Sequence, residues 1–176
     1  MRILIALDGS EFAKSPLRSI GPWAEASGAE VVLLMVLQAS RIHETATASS
    51  GHVTVPQGTP SGQRLRTADP ARVPAEDRTQ ALERARAEAE AGLRESALAL
   101  LPRVRTDVRV DWAEDIPRAI ALAAEEADAD FIAMGTHGRK GIAHALLGSV
   151  AEAVLRASSV PVLLVREGMR IPSGVS

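Results

Sequence analysis

The sequence predicts an α/β fold, an open parallel sheet of five strands with helices on both faces. Three observations carry that expectation. Short runs of branched apolar residues alternate along the chain with segments of helical spacing. Four of the five runs lack polar alternation, as strands do when both faces are covered. Turns rich in glycine and serine follow the first and fourth runs, where sheets of this kind keep their ligand-binding loops.

The first run, Ile3–Leu7, stops at Asp8-Gly9-Ser10. Leu17, Ile20 and Ala24 then fall at i, i+3 and i+7, on a helix whose first regular turn begins at Ser15 with Pro16 at N1. Val31–Leu37 is the second strand. From Gln38 to Glu76 the chain is thick in Ser, Thr, Gly and Pro, with Ile42, Val53, Val55, Leu65 and Val73 its sizeable apolar residues. That insert reads as a loosely packed excursion or, more sharply, as a lid over a neighbouring site. Leu82, Ala85, Ala89, Leu93, Ala97 and Leu100 recur at steps of three and four, a second helix ended by Pro102. Val104–Val110 alternates with Arg105, Asp107 and Arg109, so one face is wet and the strand belongs at a sheet edge. Ile116, Ile120, Ala123 and Ala127 mark a third helix, with Asp115 to cap it and Pro117 in its first turn. Phe131–Met134 is the fourth strand, Val150 and Val154 lie on a fourth helix, and Val160–Val165 is the fifth strand. Residues 1–166 therefore read as one domain with an insert at about 38–76, and 167–176 as a frayed tail.

Composition removes several function classes. The 176 residues carry 20 Lys+Arg against 22 Asp+Glu, a net charge of −2, so no strong field steers the chain to nucleic acid or an anionic membrane. Phe12, Phe131, Trp23 and Trp112 are its aromatic residues, too few for a base-stacking platform. Without cysteine there are no disulfides, thiolate nucleophiles or Cys-ligated metals. No apolar run reaches the ~18 residues of a membrane span. Met1-Arg2 leads straight into Ile3–Leu7 with no basic region and no small-residue cleavage site, so a cytoplasmic protein is expected. His43, His52, His137 and His144 have no close carboxylate pairing that would suggest a metal site.

Chemistry is expected in the loops after the first and fourth strands. Gly135, Gly138 and Gly141 let backbone approach a ligand and adopt positive φ, and successive N–H groups there form an anion nest. Gly148-Ser149, opening the last helix, adds amides, the positive end of the dipole and a hydroxyl. Arg139 and Lys140 supply positive charge. Together these describe a polyphosphate site, although Ser149 with Glu152 also makes a capping box that needs no ligand. The loop is neither a Walker P-loop nor a dinucleotide fingerprint. Ser10, Ser149 and His137 form no hydrolase triad, since no G-x-S-x-G elbow occurs. His137 reads as a packing or hydrogen-bonding residue near the ligand. Asp111, Glu114 and Asp115 read as the solvated start of the third helix.

Spacing sharpens the reading. Gly135-x2-Gly138-x9-Gly148-Ser149 matches the G-x2-G-x9-G-S/T signature of ATP-binding universal stress proteins, and the chain resembles that family around it. Ile3–Ser10, Phe131–Gly138 and Val160–Val165 carry the likeness, which spans about 1–37 and 104–166. The resemblance implies strand order 3-2-1-4-5 and a homodimer. It implies ATP with Mg2+ as ligand and a role in stress response through nucleotide-dependent contact with a partner. In the family's nucleotide-binding branch the Asp ending the first strand, here Asp8, reaches the nucleotide, and main chain at Val36 holds adenine. Met134 and Gly135 line the pocket, while Gly138, Gly148, Ser149 and Val150 hold ribose and phosphates. The sequence departs from the family in Met35, where His commonly precedes the Val, and in the length of the insert. AMP or a cyclic nucleotide is the alternative ligand, and an empty dimeric interaction module the alternative class. No acidic residue is placed to activate water and no arginine finger is evident, which argues against fast turnover. Slow hydrolysis or self-phosphorylation, reported within the family, leaves activity open. The nearly all-apolar fifth strand would lie at an edge, where pairing with its copy through residues 160–166, with Leu163 and Val165 near the axis, would cover it.

Overall fold

A computed structural model of the chain describes residues 1–10, 14–40, 75–136, 147–166, 168, 169 and 171. The elements are β1 (Arg2–Leu7), α1 (Ser15–Ser27), β2 (Glu30–Leu37), α2 (Ala75–Leu100), β3 (Thr106–Trp112), α3 (Ile116–Glu126), β4 (Phe131–Gly135), α4 (Ser149–Ala157) and β5 (Val162–Val165). All strand pairs are parallel, in the order β3-β2-β1-β4-β5 expected above. The order reverses at β1, whose Ile5 pairs with Leu33 of β2 on one side and Ala133 of β4 on the other.

Right-handed crossovers fix which helix covers which face. The chain moves from β1 out to β3 by way of α1 and α2, and returns across the sheet by way of α3 and α4. Ile3, Ile5 and Leu7 accordingly pack with Leu17, Ile20, Ala24 and Leu93. Leu4 and Ala6 pack with Ile120, Ala123, Ala124, Ala151 and Val154 on the opposite face. Ile3, Leu4 and Ile5 are completely buried, and burial on both sides is why β1 shows no polar alternation. α1 begins at Ser15 with proline in its first turn and ends on Gly28, whose φ of 64° is the left-handed conformation of a helix stop. Asp115 caps α3 by accepting from the amide of Arg118 at 3.2 Å.

Four sequence expectations need correction. β3 runs from Thr106 to Trp112 rather than 104–110, because β2 sets its ends: Val31 N–H donates to Arg105 O and Ala113 N–H to Leu37 O. Val104 leaves the ladder and packs on the core instead. β5 is shorter than expected, although the carbonyl of Pro161 still accepts from Ile132 at 2.8 Å. The capping box at Ser149 does not form. Gly148 is the N-cap, no side chain caps the helix, and Glu152 accepts from Arg156 instead. The tail is not wholly frayed either, since Ser19 Oγ donates to Met169 O at 2.6 Å and Ile171 packs against the core under α1.

The edge assignment of β3 holds, and two of its charges are paired within the chain: Arg109 donates to Asp111 and to Glu126. Asp111 is thus an ion-pair partner inside β3 and not part of a helix start. At the other edge Val165 is fully buried, so its side chain serves the core; Leu163 is half-buried against the same cluster. Among the described residues no helix is long and apolar enough to cross a membrane.

Candidate functional site

The carboxyl ends of β1, β2 and β4 meet at the reversal of strand order, where a crevice opens in sheets of this type. Alternation along β1 carries position 8 onto the face of Leu4 and Ala6, the side covered by α3 and α4. Val36 and Met134 pack on that same side, Met134 buried and Val36 half-buried. Gly135 ends β4 opposite Val165. Gly148, exposed Ser149 and half-buried Val150 open α4, again on this face. Seven of the ten residues singled out from sequence therefore share one corner of the molecule: Asp8, Val36, Met134, Gly135, Gly148, Ser149 and Val150. Gly138, Arg139 and Lys140 lie outside the described residues, as do His137 and Gly141.

The backbone around the helix start is specific. Thr136 N–H donates to Val165 O at 3.1 Å, and Gly148 N–H donates to Thr136 O at 2.9 Å. These bonds hold Gly148 beside the end of β4 and use up its amide. The ladder of α4 starts with Glu152 N–H to Gly148 O, so the amides of Ser149, Val150 and Ala151 have no acceptor within the helix. They carry the positive end of the helix dipole, which favours an anion. Gly148 itself has φ −58° and ψ 140°, and Gly135 is strand backbone, so neither needs glycine for its conformation as the sequence suggested. What glycine offers there is the absence of bulk.

The turn after β1 does need glycine. Gly9 has φ +80°, a left-handed conformation that brings the chain back on itself. Ser10 then donates twice to Asp8 Oδ1, from its amide at 2.9 Å and its hydroxyl at 2.7 Å. Sequence reasoning placed Ser10 in the stop after the first strand and set it aside as a nucleophile, and missed this contact, although Asp-Gly-Ser is the pattern of a turn closed by an Asp side chain. It also missed a cavity of about 290 Å3 on the α1 and α2 side of the same turn, lined by Ser10, Lys14, Met35, Glu88, Gly92 and Ser96 among others.

Beyond β2 the chain is tied to the turn before α3. Ser40 donates to Glu114 from its amide at 3.2 Å and its hydroxyl at 2.7 Å, and Gln38 Nε2 donates to Glu114 O at 3.0 Å. The Ser40 hydroxyl and amide hold the Glu114 carboxyl below the usual carboxylate range. Glu114 thus anchors the start of the insert next to Val36, and of the three acids read as a helix start only Asp115 acts as one. Among the described residues no group of three or more His, Asp or Glu is placed to hold a metal ion.

The model of the universal stress protein family matches residues 60–166. The chain belongs to that family. A universal stress protein of Methanocaldococcus jannaschii is 41% identical over 61 residues, 34% of this chain and 36% of that protein. The match thus spans about a third of the relative's own length. Among solved structures, a universal stress protein in complex with cAMP aligns over 96% of this chain and 98% of its own, at 18% identity and a TM-score of 0.55. The universal stress protein of Archaeoglobus fulgidus in complex with dAMP aligns over 94% and 97%, at 20% identity and a TM-score of 0.50. At such identities the two structures bear on the fold of this universal stress protein, which is the one described above.

Proposed function

We propose that this universal stress protein binds an adenine nucleotide, ATP carrying Mg2+, at the carboxyl edge of its sheet, and acts in stress response through nucleotide-dependent contact with a partner. One observation carries the reading: Asp8, the end of β2 at Val36 and the unladdered amides of α4 lie at the strand-order reversal, together with Gly135 and Gly148 of the G-x2-G-x9-G-S signature. In this reading main chain at Val36 receives adenine, and Asp8 accepts from a ligand hydroxyl or amino group. Met134 and Gly135 form the floor. The amides of Ser149 and Val150, with Gly138, Arg139 and Lys140, take the phosphates. Gly148 contributes closeness of approach while its own amide stays with Thr136. In this reading Mg2+ comes in on phosphate oxygens and water, as this ion commonly does.

A second reading substitutes AMP or a cyclic nucleotide for ATP, and the neighbours solved with cAMP and dAMP favour it. Calorimetric titration of the purified protein with ATP, AMP and cAMP decides between them. Tightest binding of ATP, strengthened by Mg2+, is expected; tighter binding of cAMP selects the second reading, and no binding of any of the three overturns both.

We further propose that residues 1–166 act as one cytoplasmic domain that pairs with its copy along β5. Pro161 O and Val165 O accept from β4, so Val162 and Leu164 turn their own N–H and C=O groups to the open edge. An apolar edge with unsatisfied backbone is a pairing template. Light scattering at micromolar concentration should give a dimeric mass. Leu164→Pro, which removes an outward amide and leaves the β4–β5 ladder intact, should give a monomer. A monomeric wild type sinks the dimer.

A further inference from the structure

The strongest unassigned feature beside the proposed pocket is the contact that immobilises Asp8. A carboxylate at the end of a strand normally rotates about two side-chain bonds. Here two donors from one residue, the Ser10 amide at 2.9 Å and the Ser10 hydroxyl at 2.7 Å, end on the same oxygen, Oδ1. Two bonds to one oxygen restrict both side-chain torsions. Gly9 lies between the two at φ +80°, a left-handed conformation in which the chain turns back and the Ser10 amide reaches the Asp8 carboxylate. The turn is backed by Met35, whose Cε lies 3.5 Å from where a Cβ on Gly9 would stand.

We propose that Ser10 is a positioning residue for ligand recognition: it holds the Asp8 carboxylate as a fixed acceptor for a hydroxyl or amino donor of the nucleotide. The inference rests on the nucleotide-binding reading and deepens it. An ionised carboxylate accepts hydrogen bonds and repels phosphate, so its value to a nucleotide site depends on direction. Pointed at ribose or at the adenine amine, it adds a charge-assisted bond. Left to rotate, it spends part of its time towards the anionic end of the ligand. Preorganising the side chain before the ligand arrives removes that loss from the binding step.

Ser10 acts through Asp8, so its effect depends on Asp8 being present. ATP affinity would be measured by calorimetry for wild type, Ser10→Ala, Ser10→Thr, Asp8→Ala and the Asp8→Ala/Ser10→Ala double variant, with circular dichroism to check each fold. Ser10→Ala keeps the backbone donor and loses the hydroxyl, so affinity should fall about three- to tenfold, the net effect of one hydrogen bond. Ser10→Thr, which restores a hydroxyl, should recover most of it. In the Asp8→Ala background the Ser10 change should cost nothing further. Comparing ATP with 2′-deoxyATP locates the donor: a Ser10→Ala penalty that disappears for the deoxy ligand assigns Asp8 to the ribose 2′-hydroxyl, and one that persists assigns it to another ribose hydroxyl or the adenine amine. A wild type that binds ATP, with Ser10→Ala unchanged or equally damaging with and without Asp8, overturns the positioning role alone. A wild type that binds no adenine nucleotide overturns the site and the positioning role together.

Discussion

The two ends of the sheet are built on opposite plans. At the amino ends, charge meets charge across elements. Arg2 donates to Glu30 on β2 at 2.9 Å and to Ala127 O at the end of α3 at 2.9 Å, while its amide donates to Asp130 at 2.7 Å. Arg105, just before β3, adds a second bond to Glu30 at 2.7 Å. At the carboxyl ends the polar groups are main-chain amides at a helix start, glycine backbone, and a carboxylate held by its own turn. One end spends its polar groups on joining strands to each other. The other, around the β1–β4 reversal, holds a carboxylate and helix-start amides in place by local turn and main-chain bonds, the arrangement a ligand site requires, while its side-chain tie from Ser40 to Glu114 joins the chain beyond β2 to the turn before α3.

The contrast predicts that changes at the carboxyl end alter binding and spare stability, while changes at the amino end do the reverse. The largest effect is expected from Gly148→Val. Valine adopts φ −58° and ψ 140° without strain, so the fold should survive with the modest penalty of a poor N-cap. Its branched bulk would stand at the mouth of α4, and ATP affinity should fall about a hundredfold or more, ~2.7 kcal/mol. Undiminished binding by calorimetry would place the nucleotide elsewhere.

Asp8→Ala comes next, with ATP weakened by about 1–3 kcal/mol through loss of a charged hydrogen bond. Tighter binding would mean that Asp8 faces the phosphates. At the other end, Arg2→Ala should lower Tm measurably and leave ATP affinity within error, since Arg2 joins β1 to β2 and α3 and reaches nothing at the pocket. A binding defect in that variant breaks the contrast.

The smallest effect concerns pH. Arg2, through its hydrogen bond, and Arg105 beside it hold the Glu30 carboxyl below its usual range. A carboxylate depressed on folding contributes stability that is fully present above its unfolded value and is lost as pH falls through the lower folded value. Acid melting curves should therefore steepen below the ordinary carboxylate range, and Glu30→Gln should flatten that limb. An unaltered acid limb would show that the exposed pair is screened out.

What sequence revealed and what it hid follow from the range of the interactions involved. Strand number, the wet edge at β3 and the Asp115 cap depend on periodicity and on neighbours a few residues apart, and all are legible. The bounds of β3 are not, because β2 sets them: Thr106 pairs with Val31 across 75 positions of chain, whatever Val104 prefers. The false capping box has a related cause. Ser149 and Glu152 have the right spacing, but Gly148 is pinned by Thr136 and takes the N-cap, so the helix starts one residue earlier than the box needs. Most of the candidate corner was visible because glycine spacing and strand ends are local signals. The Ser10 anchor was half-visible as a turn pattern. The bond from Ser19 to Met169, across 150 positions, left no mark in the sequence at all.

The single bond between Thr136 and Gly148 has a consequence for how such a protein can diversify. It joins the end of β4 to the start of α4, the two described points that flank the sequence carrying Gly138, Arg139 and Lys140. The cost of closing a loop grows only slowly with its length, by about 0.6 kcal/mol per doubling. The neck thus makes the segment between an exchangeable cassette. Residues can be inserted, removed or swapped there, and ligand preference retuned, while β4, β5 and α4 keep their register.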